Sequence, residues 1–213
     1  MKFIIKPHDT SLDLLLEAVA YQQLWKIHGR PILKAFREVT GLDFQQTMIV
    51  ARVFKGKQSV AGSPYHPMLL AGDNRSDEFK LITIVHELSH RLLGGNALGI
   101  VNLGLSNEHV PSPRHDEFDH RHTYLFEFDV VQRALGNDWA AQCQKFEERG
   151  ASDSPHDLAW RWAMGLTYDE RQRALKILTA KAMPRERWHE LKGKTIEPIN
   201  AEHWFKMLKT ARP

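Results

Sequence analysis

The chain has one cysteine, Cys143, so an internal disulfide framework is excluded and a reducing compartment fits. Its apolar runs reach only about five residues, against the roughly 20 that a membrane-spanning helix needs. Residues 1–7 are too short a start, and too soon broken by Pro7, for a secretory signal. The expectation is a cytoplasmic protein without a membrane partner. Cations are not concentrated: 29 Lys and Arg against 26 Asp and Glu leave a net charge of +3. They are scattered, with mild richness at residues 181–187 and at the C-terminus, so solvated helix faces explain them better than a nucleic-acid footprint. The glycine-rich stretch 94–104 lacks Gly-Lys-Ser/Thr and reads as a rim rather than a phosphate loop. Repeats, low-complexity tracts and long linkers are missing as well, which favours one domain over residues 1–213.

What the chain does carry is concentrated in residues 81–93, LITIVHELSHRLL. His86 and His90 are four apart, so on a helix they stand one above the other. Two imidazoles so placed can clamp one Zn²⁺ at about 2.0–2.1 Å per bond, with Glu87 beside the open coordination position. In a chain with 12 His a bare pattern of this kind arises by chance often enough that context must decide. The context is favourable. Leu81, Val85, Leu88 and Leu92 recur at helical spacing and point about 160° away from the histidine edge. Ser76 can cap the helix, Asp77 and Glu78 suit its first turn, and Gly94 and Gly95 end it.

The rest of the chain supplies scaffold. Residues 11–28 form a predicted amphipathic helix through Leu12, Leu15, Leu16, Val19, Leu24 and Trp25. Gly29-Arg30-Pro31 is expected to break it, with a second helix running from Pro31 to Gly41. The period then changes: residues 47–54 fit a strand, and 68–71 a short second one. A strand just before the histidine helix has an edge that can hold an extended peptide, although a buried strand explains it equally well. Helices are expected from about 116 to 135 and, after Asn137 and Asp138, through Cys143 to Gly150. Ser154-Pro155 and the capping box at 167–170 start two more, and short helices follow around Trp188 and Trp204. Five of the six Trp lie beyond residue 138, where helix packing accounts for them. The fold class is therefore α+β and mostly helical. A core spans about 45–135, with a small sheet next to the histidine helix, and a helical subdomain covers 137–213.

A catalytic zinc needs three protein ligands, and His86 and His90 supply two. The one-segment pattern with a glycine and a third histidine downstream fails, because Leu93 and Asn96 occupy those positions. The next dense cluster is 115–129, HDEFDHRHTYLFEFD. On one continuous helix Phe118, Tyr124, Leu125, Phe128, Val131 and Leu135 form the buried stripe, and His122 lies on its edge. His120 and Glu127 lie near the opposite face. His122 ranks first as third ligand, then Glu127, followed by His120, His115, Asp119 and Asp116. Asp129 falls on the edge of His122 and can orient a ligand imidazole, a solvated residue being the plainer account.

At His86-Glu87-Leu88-Ser89-His90, with a ligand-rich helix downstream, residues 45–135 resemble the zincin-type metallopeptidases. The arrangement is most similar to the small gluzincin type, although Val131 stands where gluzincins place an Asp four residues after the ligand Glu. The resemblance implies a zinc-dependent peptidase with one Zn²⁺ per chain, a peptide or protein substrate, and Glu87 as general base. It also implies an oxyanion donor, for which Tyr124, Tyr168 and His156 are the candidates. The competing readings are a non-catalytic zincin-like module binding a protein or nucleic acid, and a zinc hydrolase of non-peptide amides.

Overall fold

The computed structural model describes residues 1–56, 59, 67–96, 98, 115–147 and 154–182, with the side chains of 115–119 excepted. Three parallel strands, β1 (Lys2–Pro7), β2 (Met48–Phe54) and β3 (Met68–Ala71), form one sheet in the order β1-β2-β3. Against it pack α1 (Leu12–Thr40) and α2 (Asp77–Gly95), and on these helices and on one another pack α3 (His115–Tyr124), α4 (Glu127–Leu135), α5 (Asn137–Glu147), α6 (Pro155–Gly165) and α7 (Tyr168–Thr179). The described chain is thus mostly helical with a small parallel sheet. The expected helices around Trp188 and Trp204 lie outside the described residues. No helix among the described residues is long and apolar enough to cross a membrane.

The central strand follows its period-2 pattern, with Ile49, Ala51 and Val53 buried in alternation. The strand β1 had no sequence signal of its own, since only six residues precede Pro7; it forms because β2 pairs with it from Lys2↔Met48 onward. Among the described residues β3 lies at the edge of the sheet, but all four of its residues are buried. The Ala71 N–H donates to Ser59 Oγ at 3.0 Å, and its carbonyl accepts from the Tyr21 hydroxyl at 3.0 Å. Those two groups are therefore already engaged.

The first helix departs from expectation twice. It runs unbroken through Gly29-Arg30-Pro31 for 29 residues. Pro31 removes one backbone donor, a cost of about 3 kcal/mol. Burial of Ile32, Ala35 and Phe36 in the same core as Tyr21 and Leu24 outweighs it. Its buried stripe is Leu14, Ala18, Tyr21 and Leu24, whereas Leu12, Leu15, Leu16 and Val19 are exposed, Leu12 by 69%. The helix carries two apolar stripes, and the one with small Ala18 and a hydroxyl able to reach β3 lies against the sheet.

The second helix begins as expected, with Ser76 Oγ accepting the N–H of Phe79 at 3.3 Å and Asp77 and Glu78 in the first turn. A buried ion pair, Lys80 to Glu17 at 3.3 Å, ties it to α1. At its end Asn96 donates to the carbonyls of Asp43 (3.1 Å) and Leu92 (2.8 Å) and accepts from Gln45 (2.9 Å). Asn96, the residue in the place of a downstream third histidine, is a structural clamp. The expected continuous helix 116–135 is interrupted: α3 stops at Tyr124 and α4 starts at Glu127. The C-terminal helices share one apolar core with the rest, Trp160, Ala163, Leu175 and Leu178 included.

Candidate metal centre

Because α2 is apolar on most of its circumference, it is held between the sheet and the later helices, and its histidine edge meets α3 and α6. His86 and His90 bring their Nε2 atoms to 3.2 Å. Two nitrogens bound at about 2.05 Å to one tetrahedral ion lie about 3.3 Å apart, so this spacing fits a shared cation. The opposite nitrogens are held from behind. Glu127 Oε2 lies 2.9 Å from His86 Nδ1, and Thr123 Oγ1 lies 3.4 Å from His90 Nδ1. Such partners fix the ring orientation that leaves Nε2 toward a metal.

The third imidazole at this point is His120. Its ring centroid is 4.7 Å from that of His90 and 5.5 Å from that of His86. The described residues contain two donor groups that can hold a metal ion, His86/His120/His156 and His86/Glu127/Glu147. Glu127 contacts the His86 nitrogen that faces away from His90. One ion cannot touch both nitrogens of a ring, so an ion shared by His86 and His90 leaves Glu127 as an orienting partner. Burial pushes the Glu127 carboxyl up to about 8, against the pull of the charge on His90.

The remaining sequence candidates are placed as follows. Glu87 is 5% exposed and lines a cleft of about 330 Å³ together with Thr83, His86, Tyr124, Glu147 and His156. Arg75, Phe79 and Phe146 line the same cleft, the two phenyl rings edge to face at 4.0 Å. Arg91, one turn after Glu87, is buried; burial pushes its guanidinium down to about 10, opposed by the Glu87 carboxylate. His122, ranked first as third ligand, is 1% exposed and belongs to neither donor group; His90 belongs to neither as well and joins the site through its 3.2 Å approach to His86. The side chains of His115, Asp116 and Asp119 lie outside the described residues. Asp129 pairs with Arg171 at 3.6 Å and accepts from Gln172 at 3.4 Å, joining α4 to α7 rather than orienting a ligand.

Of the oxyanion candidates, Tyr168 is 62% exposed and lines a different cleft, beside Asp129 and Gln172. Tyr124 and His156 line the cleft of Glu87. The Tyr124 hydroxyl donates to Glu147 Oε2 at 2.7 Å. Burial, reinforced by the Glu147 carboxylate, pushes this phenol well above its ordinary value of 10. Two features escaped sequence reasoning: the role of Glu147, and the closeness of His156 to His120 (3.6 Å between ring centroids). Both are brought in by helices far along the chain, and no local spacing signals them.

No protein-family model, curated protein or solved structure matches the chain.

Proposed function

We propose that this protein is a zinc-dependent hydrolase of peptide bonds with a zincin-like centre, in which His86, His90 and His120 hold the ion and Glu87 is the general base. The single observation that carries this reading is the 3.2 Å approach of two Nε2 atoms whose rings are backed by Glu127 and Thr123. The donor set fits zinc chemically: neutral imidazoles are ordinary zinc ligands, and three of them leave one position for substrate. A zinc ion bound there supplies Lewis acidity toward a carbonyl and lowers the pKa of water toward ~7.

The chain's own residues do the rest. Glu87 lines the cleft next to His86, where its carboxylate can take a proton from an attacking water and return it to the leaving amine. Glu127 and Thr123 hold the imidazole orientations. The apolar core around α2 holds His86, Glu87 and His90 on one packed helix, which limits the misplacement that costs rate.

The test is metal content and hydrolysis in one protein pair. Wild type is expected to hold one zinc per chain and to cleave members of a mixed peptide library, read by mass spectrometry. Glu87→Gln is expected to keep the zinc and lose cleavage by at least about 100-fold, the usual contribution of a positioned proton acceptor. Cleavage by the variant at the wild-type rate removes Glu87 from the mechanism. Turnover of small acyl amides with peptides left intact moves the substrate class instead.

A further inference from the structure

A fourth imidazole stands beside these three, and it lines the cleft together with His86. His156 occupies the first turn of α6, directly after the Ser154 cap and Pro155. Its ring lies against His120, and its centroid is 5.9 Å from that of His86. One nitrogen from each of His86, His120 and His156 falls within 4.8 Å of the others. His156 Nδ1 is 3.4 Å from the Tyr124 hydroxyl, whose only proton is directed to Glu147 Oε2. The phenol oxygen is therefore the acceptor and Nδ1 carries the hydrogen. In a neutral ring that leaves the lone pair on Nε2, the form in which an imidazole binds a metal. The chain Glu147–Tyr124–His156 thus does for His156 what Glu127 does for His86 and Thr123 for His90.

We infer that His156 is a fourth, exchangeable ligand of the ion, closing the coordination shell at rest and yielding its place to water or a substrate carbonyl. This rests on the ion lying between His86, His90 and His120. Two observations separate His156 from the other three imidazoles. It alone is exposed, and it comes from α6 and not from α2 or α3. The exchange is a ligand substitution: one nitrogen lone pair leaves the ion, one oxygen lone pair replaces it, and no electron changes hands. Four imidazoles make a closed site, whereas three leave it open. The resting enzyme would therefore bind metal more tightly, and admit substrate less readily, than a three-ligand site.

The experiment uses the full chain loaded with Co²⁺, whose visible absorption reports coordination number, alongside competition with a chromogenic chelator. His156→Ala is expected to weaken Co²⁺ and Zn²⁺ binding at least tenfold and to change the visible spectrum. Millimolar imidazole added to His156→Gly is expected to restore the wild-type spectrum, a response that a merely structural role would not give. Tyr124→Phe should produce a smaller change in the same direction. Affinity within twofold of wild type together with an unchanged spectrum overturns the assignment of His156. Failure of wild type to bind Co²⁺ at all overturns it too, together with the metal centre. Cation binding that responds to His156 without any peptide cleavage leaves the fourth ligand standing and removes only the hydrolase.

Discussion

Glu127 Oε2 sits 2.9 Å from His86 Nδ1, on the side of the ring away from His90. This carboxyl is fully buried, and its folded-state pKa of about 8 lies above the ordinary 4.5. A group raised in this way contributes its full stability below the lower value and loses it as pH climbs through the higher one. Cation-free protein is therefore expected to lose stability between about pH 4.5 and 8, by at most a few kcal/mol at about 1.36 kcal/mol per tenfold change in proton affinity. Glu127→Gln should flatten that slope. Urea midpoints at pH 5 and pH 8 for both proteins measure it, and equal slopes would remove Glu127 as the cause.

His120 and His122 are two residues apart and are expected to behave differently. His120→Ala should lower zinc affinity by more than the roughly 10–100-fold that loss of an orienting partner costs. His122→Ala, which truncates a buried side chain outside both donor groups, should lower thermal stability and leave one zinc per folded chain. Elemental analysis of dialysed protein decides between them. The reverse pattern would restore His122 as the ligand.

Gly29 lies inside α1, where an alanine would ordinarily add about 1 kcal/mol of helix stability. A Cβ at this position would meet the Trp25 ring at 2.6 Å, and that ring packs edge-on against Phe3. Crowding of this kind costs typically 1–3 kcal/mol, so it should reverse the sign. Gly29→Ala is expected to lower the melting temperature by a few degrees. A rise in melting temperature would show that the indole simply swings aside.

Cys143 is buried in α5, and burial pushes its thiol well above the ordinary 9. Native protein at pH 8 should react with a chromogenic disulfide reagent no faster than it unfolds, whereas denatured protein should release one equivalent at once. Rapid labelling of the folded chain contradicts this packing.

Much of the local structure follows from residues near one another. The caps at Ser76, Ser154 and Thr167, the strands at 48–54 and 68–71, and the pairing of His86 with His90 are statements about neighbours a few positions apart. Spacing and side-chain chemistry are enough for these. The candidate third ligand is a different kind of question. Residues 121–127 are buried on every side, so a helical wheel has no solvent face to orient it, and the helix stops between Tyr124 and Glu127. Packing of α3 between α2 and α6 decides which side meets the histidines. It turns the edge with His120 toward them, and α4 brings Glu127, although on one continuous wheel both lie near the face opposite the buried stripe. The unbroken course of α1 across Pro31 has the same origin, since a lost backbone bond is a local cost and the burial that outweighs it is not. The sequence alone determined two imidazoles and a carboxylate on one turn of helix. Only the tertiary structure decided what stands behind them and what faces them, because those contacts join segments 30 to 70 residues apart.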